Sequence, residues 1–154
     1  MSVNQTTISE KAEFNRQLAG DICKKWSVPK GGDVEPFFAL FHDDATFTTM
    51  AKPELFPRLG GTKTKEEFKE WVYHESRLTD LVVNCEGVTA DADRVAVEAS
   101  STMSVNGNEY NNLYHWLFEV KDGKISAARF YLDTLFAKKA IEWMSEIHPA
   151  REAI

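Results

Sequence analysis

The sequence predicts an α+β domain, in which helices cover one face of a curved, mixed or antiparallel sheet. Helical spacing of apolar residues is confined to the first half of the chain and to its last segment. Between them, residues 81–132 alternate like consecutive antiparallel strands, and Asn106-Gly107 and Asp122-Gly123 supply the hairpin turns. The expected order of elements is α-α-β-α-β-β-β-β-α.

Composition limits the class of protein. The 154 residues make one ordinary domain, for which we expect a loose arm over 1–8, a folded domain over 9–146 and a tail over 147–154. A net charge of −6 argues against nucleic-acid binding, and no apolar run approaches the roughly 20 residues of a membrane span. With no secretion signal, we expect a cytoplasmic protein whose Cys23 and Cys85 are buried, reduced thiols.

Four helices are expected, and a first strand over 45–50. The first helix is capped by Ser9, and its apolar stripe is Phe14, Leu18, Ile22 and Trp26. A short buried helix follows Asp33. A capping box from Thr64 to Glu67 begins the third helix, whose stripe is Phe68, Trp71, Val72, Glu75 and Leu78. The last helix spans about 134–146, and its stripe is Leu135, Phe136, Ile141 and Met144.

The Asn106-Gly107 turn determines which strand residues face inward. A two-residue turn pairs Val105 with Asn108 and, further along the strands, Ser101 with Asn112. One strand then directs its odd positions inward and the next its even positions, which are the apolar sets of both strands.

The Asp122-Gly123 turn leaves two registers open. A two-residue turn directs one set inward: Ala127, Arg129, Tyr131 and Asp133. A three-residue turn, with Gly123 in a left-handed bulge, directs the other set inward: Ala128, Phe130 and Leu132. We prefer the second register because it buries the more apolar set. Arg129 then falls on the outer face, as do His115 and Glu119.

His74 is the candidate general acid or base. It lies near the C-terminal end of the third helix, where Trp71 and Leu78 bracket it and could let it point partly under the sheet. Imidazole titrates near neutrality and transfers protons readily. The alternative is an exposed histidine that stabilises the negative end of the helix dipole.

The inner sheet face is the candidate ligand wall. Ser101 and Asn112 either hydrogen-bond a ligand oxygen or satisfy each other. No Gly-rich phosphate loop and no Cys/His metal spacing occurs in the sequence, so neither a cofactor nor a metal is expected. We expect a small apolar ligand, with a binding set of Phe47, Thr49, Ser101, Met103, Asn112, Tyr114, Trp116 and Phe130.

Three stretches make the chain recognisable: 41–45 (Phe-His-Asp-Asp-Ala), 93–98 (Asp-Arg-Val-Ala-Val-Glu) and the run from Tyr110 to Asp133. Together with the order of elements, they resemble the nuclear transport factor 2-like superfamily. The closest resemblance is to its SnoaL-like branch, with polyketide cyclases, ketosteroid isomerases and limonene epoxide hydrolase. This resemblance implies a cone-shaped half-barrel, a homodimer through the outer sheet face, an apolar pocket and no cofactor.

The resemblance also carries implications for catalysis. The catalytic and water-holding positions of limonene-epoxide-hydrolase-like enzymes fall on Ala99, Ser101, Phe130, Phe47 and Thr49, so epoxide hydrolysis by that mechanism is not expected.

The dehydrochlorinase and scytalone-dehydratase branch has a histidine near the end of the third helix, which His74 resembles, and pairs it with an aspartate from the first-helix region. No aspartate of this sequence matches that position, although Asp21 and Asp33 are nearby. The resemblance therefore implies a cofactor-free isomerase, cyclase or dehydratase-type lyase. It would transfer a proton on a steroid-, terpenoid- or polyketide-like substrate. A non-catalytic ligand-binding or dimeric interaction domain is the alternative.

Overall fold

A computed structural model describes residues 7–76 and 79–147, which form four helices and seven strands. The helices are α1 Ile8–Trp26, α2 Glu35–Phe38, α3 Lys65–Ser76 and α4 Thr134–Ile147. The strands are β1 Phe41–Thr49, β2 Gly61–Thr64, β3 Leu81–Ala90, β4 Arg94–Val105, β5 Asn108–Glu109, β6 Leu113–Lys121 and β7 Lys124–Leu132. Leu78, the side chain of Glu75, and residues 1–6 and 148–154 of the predicted arm and tail lie outside the described part.

The first helix begins earlier than predicted. Thr7, and not Ser9, is the N-cap: its hydroxyl accepts the Glu10 N–H at 3.1 Å, and the Glu10 carboxylate accepts the Thr7 N–H at 2.7 Å. The buried face is also rotated from the predicted stripe, because the Asn15 amide donates to the carbonyl of Asp91 at 2.9 Å. Phe14 is therefore 49% exposed, although it was expected in the core.

The third helix begins as predicted. The Thr64 N–H donates to the Glu67 carboxylate at 2.9 Å, and the Glu67 N–H donates to the Thr64 hydroxyl at 3.2 Å. Phe68 and Val72 are buried against the sheet. On α4 the predicted stripe is correct except at Leu135, which is 76% exposed.

The sheet has the order β2-β1-β7-β6-β4-β3, with β5 paired to β4. β1 and β7 run parallel, and the other pairs are antiparallel. The predicted α+β class with a curved, mixed sheet is confirmed. Two short strands, β2 and β5, were not predicted.

The hairpin register at Asn106-Gly107 is as predicted. Both turn residues have positive φ, 50° and 78°, as a two-residue hairpin turn of this type requires. Val105 pairs with Asn108, and the same register continues along β6. The Ser101 N–H donates to the carbonyl of Asn112 at 3.0 Å, so these two residues do lie opposite each other.

A bulge in β7 decides the second hairpin. Asp122-Gly123 is a two-residue turn, with Lys121 paired to Lys124, and not the three-residue turn that we preferred. Ser126 then has no counterpart on β6, which shifts the register by one residue. The expected inner set is therefore correct for a different reason: Ala128, Phe130 and Leu132.

The same bulge directs Arg129 to the outer face, as expected. Its guanidinium donates to the Glu119 carboxylate at 3.0 Å, and His115 on the same face is exposed. Asp133 instead accepts the N–H of Phe136 at 3.1 Å, at the start of α4.

Aromatic rings fill one end of the space beneath the sheet. The rings of Phe41 and Phe47 lie 4.7 Å apart, those of Phe47 and Phe68 4.6 Å, and Phe38 and Phe118 extend the cluster. None of the helices in the described ranges is long and apolar enough to cross a membrane.

Candidate functional site

A cavity of about 160 Å³ lies beneath the opposite end of the sheet. Its sheet wall includes Thr49 at the end of β1, Phe130 near the end of β7 and Tyr114 near the start of β6. Further along the same strands, Phe47 and Phe118 belong to the aromatic core and do not reach the cavity.

Helix α4 forms a second wall. Ala137, Ala140, Ile141 and Met144 line the cavity, together with Leu59 from the segment between β1 and β2. Ile141 and Met144 belong to the predicted apolar stripe of this helix, but none of the four residues was predicted to contact a ligand. The spacing of these four residues, i, i+3, i+4 and i+7, is the sequence feature that could have identified them.

The ends of α1, α3 and β3 complete the enclosure. α3 contributes Phe68, Trp71 and Val72, and Trp26 and Val83 close the side next to α1. The indole Nε1 of Trp71 is buried and has no hydrogen-bond partner in the structure as described. A buried donor without a partner is costly to the fold.

Six of the eight predicted ligand-binding residues line the cavity: Thr49, Ser101, Met103, Tyr114, Trp116 and Phe130. The other two do not. Phe47 is 1% exposed within the aromatic core, and Asn112 is 1% exposed behind the wall.

A hydrogen-bonded network supports the polar part of the wall. The hydroxyl oxygens of Ser101 and Tyr114 are 3.0 Å apart. Ser101 Oγ also accepts the backbone N–H of Asn112 at 3.1 Å. The Asn112 amide donates to the Tyr110 hydroxyl at 2.6 Å and to the carbonyl of Asp133 at 3.1 Å. Asn112 therefore holds the two tyrosines and the serine in place, and the Ser101–Tyr114 pair lies at the cavity.

Both tyrosines remain protonated. Burial, and secondly the neighbouring Tyr110, raise the pKa of Tyr114 well above its ordinary value. Burial likewise raises the pKa of Tyr110. Near neutral pH these phenols are therefore hydrogen-bond donors and not bases.

His74 lies elsewhere. Its side chain is exposed and borders a shallow, polar depression on α3 that also includes Asp43, Lys65 and Glu70. The expectation that it points partly under the sheet is wrong, because the inner stripe of α3 follows 68, 71 and 72 and leaves position 74 outside it. Asp33 accepts the N–H of Glu35 at 2.9 Å at the start of α2.

Charged chemistry is absent from the described wall. The residues that line the cavity include no carboxylate, imidazole, ammonium or guanidinium group within the described ranges. Over the same ranges, no group of three or more His, Cys, Asp or Glu residues could hold a metal ion. The described wall can thus enclose an apolar body and hydrogen-bond an oxygen.

Comparison with known proteins identifies the family. A family model described as a SnoaL-like domain matches residues 28–128. A search of curated proteins finds no match.

Many solved structures share the fold. A nuclear transport factor 2-like protein from Anabaena variabilis is 19% identical, with a TM-score of 0.66 over 85% of this chain and 96% of that one. TerC, co-crystallised with polyporic acid, is 20% identical, with a TM-score of 0.69 over 84% and 98%.

A third similar structure is a Catenulispora acidiphila protein with a ketosteroid isomerase-like fold, in complex with trimethylamine. It is 16% identical, with a TM-score of 0.60 over 75% of this chain and 84% of that one. At such identities these likenesses establish the fold alone.

Proposed function

Because the chain belongs to the SnoaL-like domain family, we propose that it binds a small, mostly apolar molecule that carries at least one oxygen. The observation that carries this proposal is the cavity wall, which is apolar except where hydroxyls such as the Ser101–Tyr114 pair reach it. Tyr114 donates a hydrogen bond to the ligand oxygen, and the rings of Trp116 and Phe130 contact the apolar body.

The size of the cavity limits the ligand. An engineered protein cavity of about 150 Å³ holds one benzene molecule. The space of about 160 Å³ therefore suits a ligand of about one ring, such as a monoterpenoid or a single polyketide ring. A steroid would have to extend through the cavity mouth. Two of the similar structures, those with polyporic acid and trimethylamine, were crystallised with small molecules.

Binding can be tested with a matched pair of probes, 3-methylcyclohex-2-enone and 1-methylcyclohexene, by NMR titration. We expect the enone to bind more tightly than the hydrocarbon. Met103→Trp, which fills the cavity from β4, should weaken enone binding by about tenfold or more. Thr102→Trp, on the exposed outer face of the same strand, is the control and should leave binding unchanged. Failure of the folded wild type to bind either probe would overturn the proposal.

A second candidate function is enzymatic: proton transfer during isomerisation, cyclisation or dehydratase-type elimination, without a cofactor. The neutral Tyr114 hydroxyl favours it, because a fixed donor can stabilise the oxygen of an enolate that forms in the cavity. The described wall supplies no carboxylate or imidazole as the base. His74, which the sequence predicted as the general acid or base, is exposed on α3 outside this wall, so the described cavity accounts for the oxygen contact and not for the base.

Exchange of the α-hydrogens of the enone with D₂O tests the second candidate. We expect Tyr114→Phe to slow exchange by about 10²-fold, and His74→Ala measures separately whether the predicted histidine takes part. Tyr131→Phe and His115→Ala, on the outer face, are the controls. If the wild type binds the enone but its α-hydrogens exchange no faster than in buffer alone, the enzymatic candidate is excluded and ligand binding remains. An unchanged exchange rate in His74→Ala would remove His74 from the mechanism.

The outer sheet face supports a homodimer. Val82, Leu113 and Tyr131 are 49%, 68% and 41% exposed there, and exposed apolar patches commonly mark protein contacts. Sedimentation velocity should show a dimer that Leu113→Glu dissociates. Leu135→Glu, at an exposed position on α4, should leave the dimer intact. A wild type that stays monomeric at a protein concentration of about 100 micromolar would contradict the proposal.

A further inference from the structure

The two cysteines, 62 positions apart in the sequence, meet in the fold. Cys23 lies on the buried face of α1 and is 4% exposed. Cys85 lies on β3, an edge strand of the sheet, and is exposed, although we expected it to be buried. The Cys85 thiol is close enough to Cys23 to contribute to the raised pKa of Cys23.

Hydrogen bonds before and after Cys23 in the sequence hold helix α1 against the strand that carries Cys85. Ser27, one turn after Cys23, accepts the Val83 N–H at 2.8 Å on its hydroxyl. At the other end of the helix, the amide of Asn15 donates to the carbonyl of Asp91 at 2.9 Å. Helix α1 thus runs antiparallel along β3.

Strand alternation places Cys85 on the side of β3 that faces the helix. It shares that side with Val83, and it pairs across the strands with the buried Ala99. Both thiols therefore lie in the same interface, one sealed within it and one open to solvent.

We propose that Cys23 and Cys85 form a dithiol site that a hydroperoxide oxidises to an intramolecular disulfide. This inference is independent of the proposed ligand function. It also differs from the sequence expectation of two inert, buried thiols.

The chemistry follows from the difference in exposure. The Cys85 thiolate attacks the O–O bond of the peroxide and becomes a sulfenic acid, and the departing hydroxide takes up a proton and leaves as water. The Cys23 sulfur then attacks the Cys85 sulfur; the S–O bond breaks, and a second water leaves with the Cys23 proton. Two thiols are oxidised by two electrons, and the peroxide is reduced. A small-molecule dithiol reverses the reaction by exchange.

The order of the two steps is fixed by the environment of Cys23. Burial, and then the neighbouring Cys85, raise the pKa of Cys23 to about 12, so its thiol stays protonated near neutral pH. Once Cys85 is an uncharged sulfenic acid, it no longer contributes to the raised pKa of Cys23. Cys85 is thus the sulfur that meets the oxidant, and Cys23 is the sulfur that resolves it.

Treatment of the native protein with hydrogen peroxide, followed by non-reducing peptide mapping, tests the site. We expect a cross-linked peptide pair containing Cys23 and Cys85, a Tm raised by about 5 °C or more, and full reversal by dithiothreitol. Cys23→Ala should stop at a Cys85 sulfenic acid that dimedone traps. Cys85→Ser should leave Cys23 unmodified.

Two outcomes would overturn the inference. One is oxidation of Cys85 to a sulfinic acid, or to an intermolecular disulfide, while Cys23 stays reduced in the folded wild type. The other is a Cys23–Cys85 disulfide that forms only after unfolding in urea. Both are measured on the wild type, so the test does not depend on the folding of a variant.

Discussion

At the scale of single residues, Asn112 shows how one polar side chain organises an apolar site. It is 1% exposed, and its amide and backbone hold Tyr110 and Ser101. Its side-chain oxygen also accepts the Leu113 N–H at 2.7 Å. Removing the side chain would leave several buried groups without partners.

We therefore expect Asn112→Ala to lower the free energy of unfolding by about 2–4 kcal/mol, measured by urea denaturation. The neighbouring Asn111 is exposed, so Asn111→Ala is the matched control and should cost less than about 0.5 kcal/mol. Equal losses in the two variants would show that the network does not carry this stability.

Residue-level prediction succeeded where strand alternation decided the outcome. Ser101, Tyr114 and Trp116 follow directly from a reliable turn, and they line the cavity. It failed for Phe47, because alternation tells which face a residue occupies and not how far along the cone it lies. His74 could not be placed for a related reason. The predicted apolar stripe of α3 includes the polar residue Glu75, so the sequence does not decide whether a residue at the edge of the stripe faces the sheet or the solvent.

At the scale of secondary-structure elements, the bulge at Ser126 determines the character of the cavity. If β7 paired all of its residues without this bulge, Phe130 would turn outward and Arg129 inward. Deletion of Ser126 removes the bulge but leaves Ala128, Phe130 and Leu132 opposite their present partners on β6, so the inner face of β7 should be kept and the domain should still fold. Retention of the folded near-UV circular dichroism spectrum would show this.

The control for that deletion keeps the extra residue. Ser126→Ala loses only the hydrogen bond from its hydroxyl to the carbonyl of Glu119, at 3.3 Å, and should unfold within about 1 kcal/mol of the wild type. A deletion variant that loses the fold or the ligand, while Ser126→Ala keeps both, would show that the bulge itself is required.

A second element-level feature joins α2 to α3. The Glu35 carboxylate accepts hydrogen bonds from Lys69 at 2.7 Å and from Tyr73 at 2.6 Å. These hydrogen bonds, that of Lys69 first, lower the pKa of Glu35 in the folded state. Since the folded pKa lies below the unfolded one, the contribution is complete above the ordinary carboxyl pKa of 4.5 and is lost as pH falls through the folded value.

Glu35→Gln should therefore lower Tm by a few degrees at most at pH 7, because the contact is exposed to solvent. The difference from the wild type should shrink as pH falls below about 4. Glu66→Gln, on the exposed face of α3, is the control. A Tm difference that stays constant from pH 7 to pH 3 would contradict the role of the carboxylate.

Elements that begin or end with characteristic capping or turn residues were predictable, and the others were not. Thr64-Lys65-Glu66-Glu67 marks the start of α3, and Asn106-Gly107 marks a hairpin. The strand β2 has no such marks: four residues that include Gly61 and two threonines form a strand only because β1 offers them an edge. The bulge at Ser126 could not be predicted because Asp122-Gly123 has the sequence of an ordinary two-residue turn, and nothing in the residues that follow marks an extra residue in the strand.

At the scale of the whole molecule, the cavity couples ligand binding to stability, because its walls come from the sheet and from α1, α3 and α4 together. A ligand at 100 times its Kd should stabilise the fold by about 2.7 kcal/mol, which raises Tm by about 5–10 °C. Differential scanning calorimetry with the enone measures this shift. Met103→Trp should abolish it, and a shift that survives in that variant would place the ligand elsewhere.

The parallel pairing of β1 with β7 also has a consequence for the order in which the chain folds. β7 lies between β1 and β6, so the two halves of the sheet share no edge until residues 124–132 exist. On a ribosome, the first helices and β1 must wait with an unpaired edge while some eighty further residues are made. Such long-range pairing is slow to form, so the sheet can be completed only after β7 has been made. The strand that supplies Phe130 to the cavity is therefore also the strand that completes the sheet.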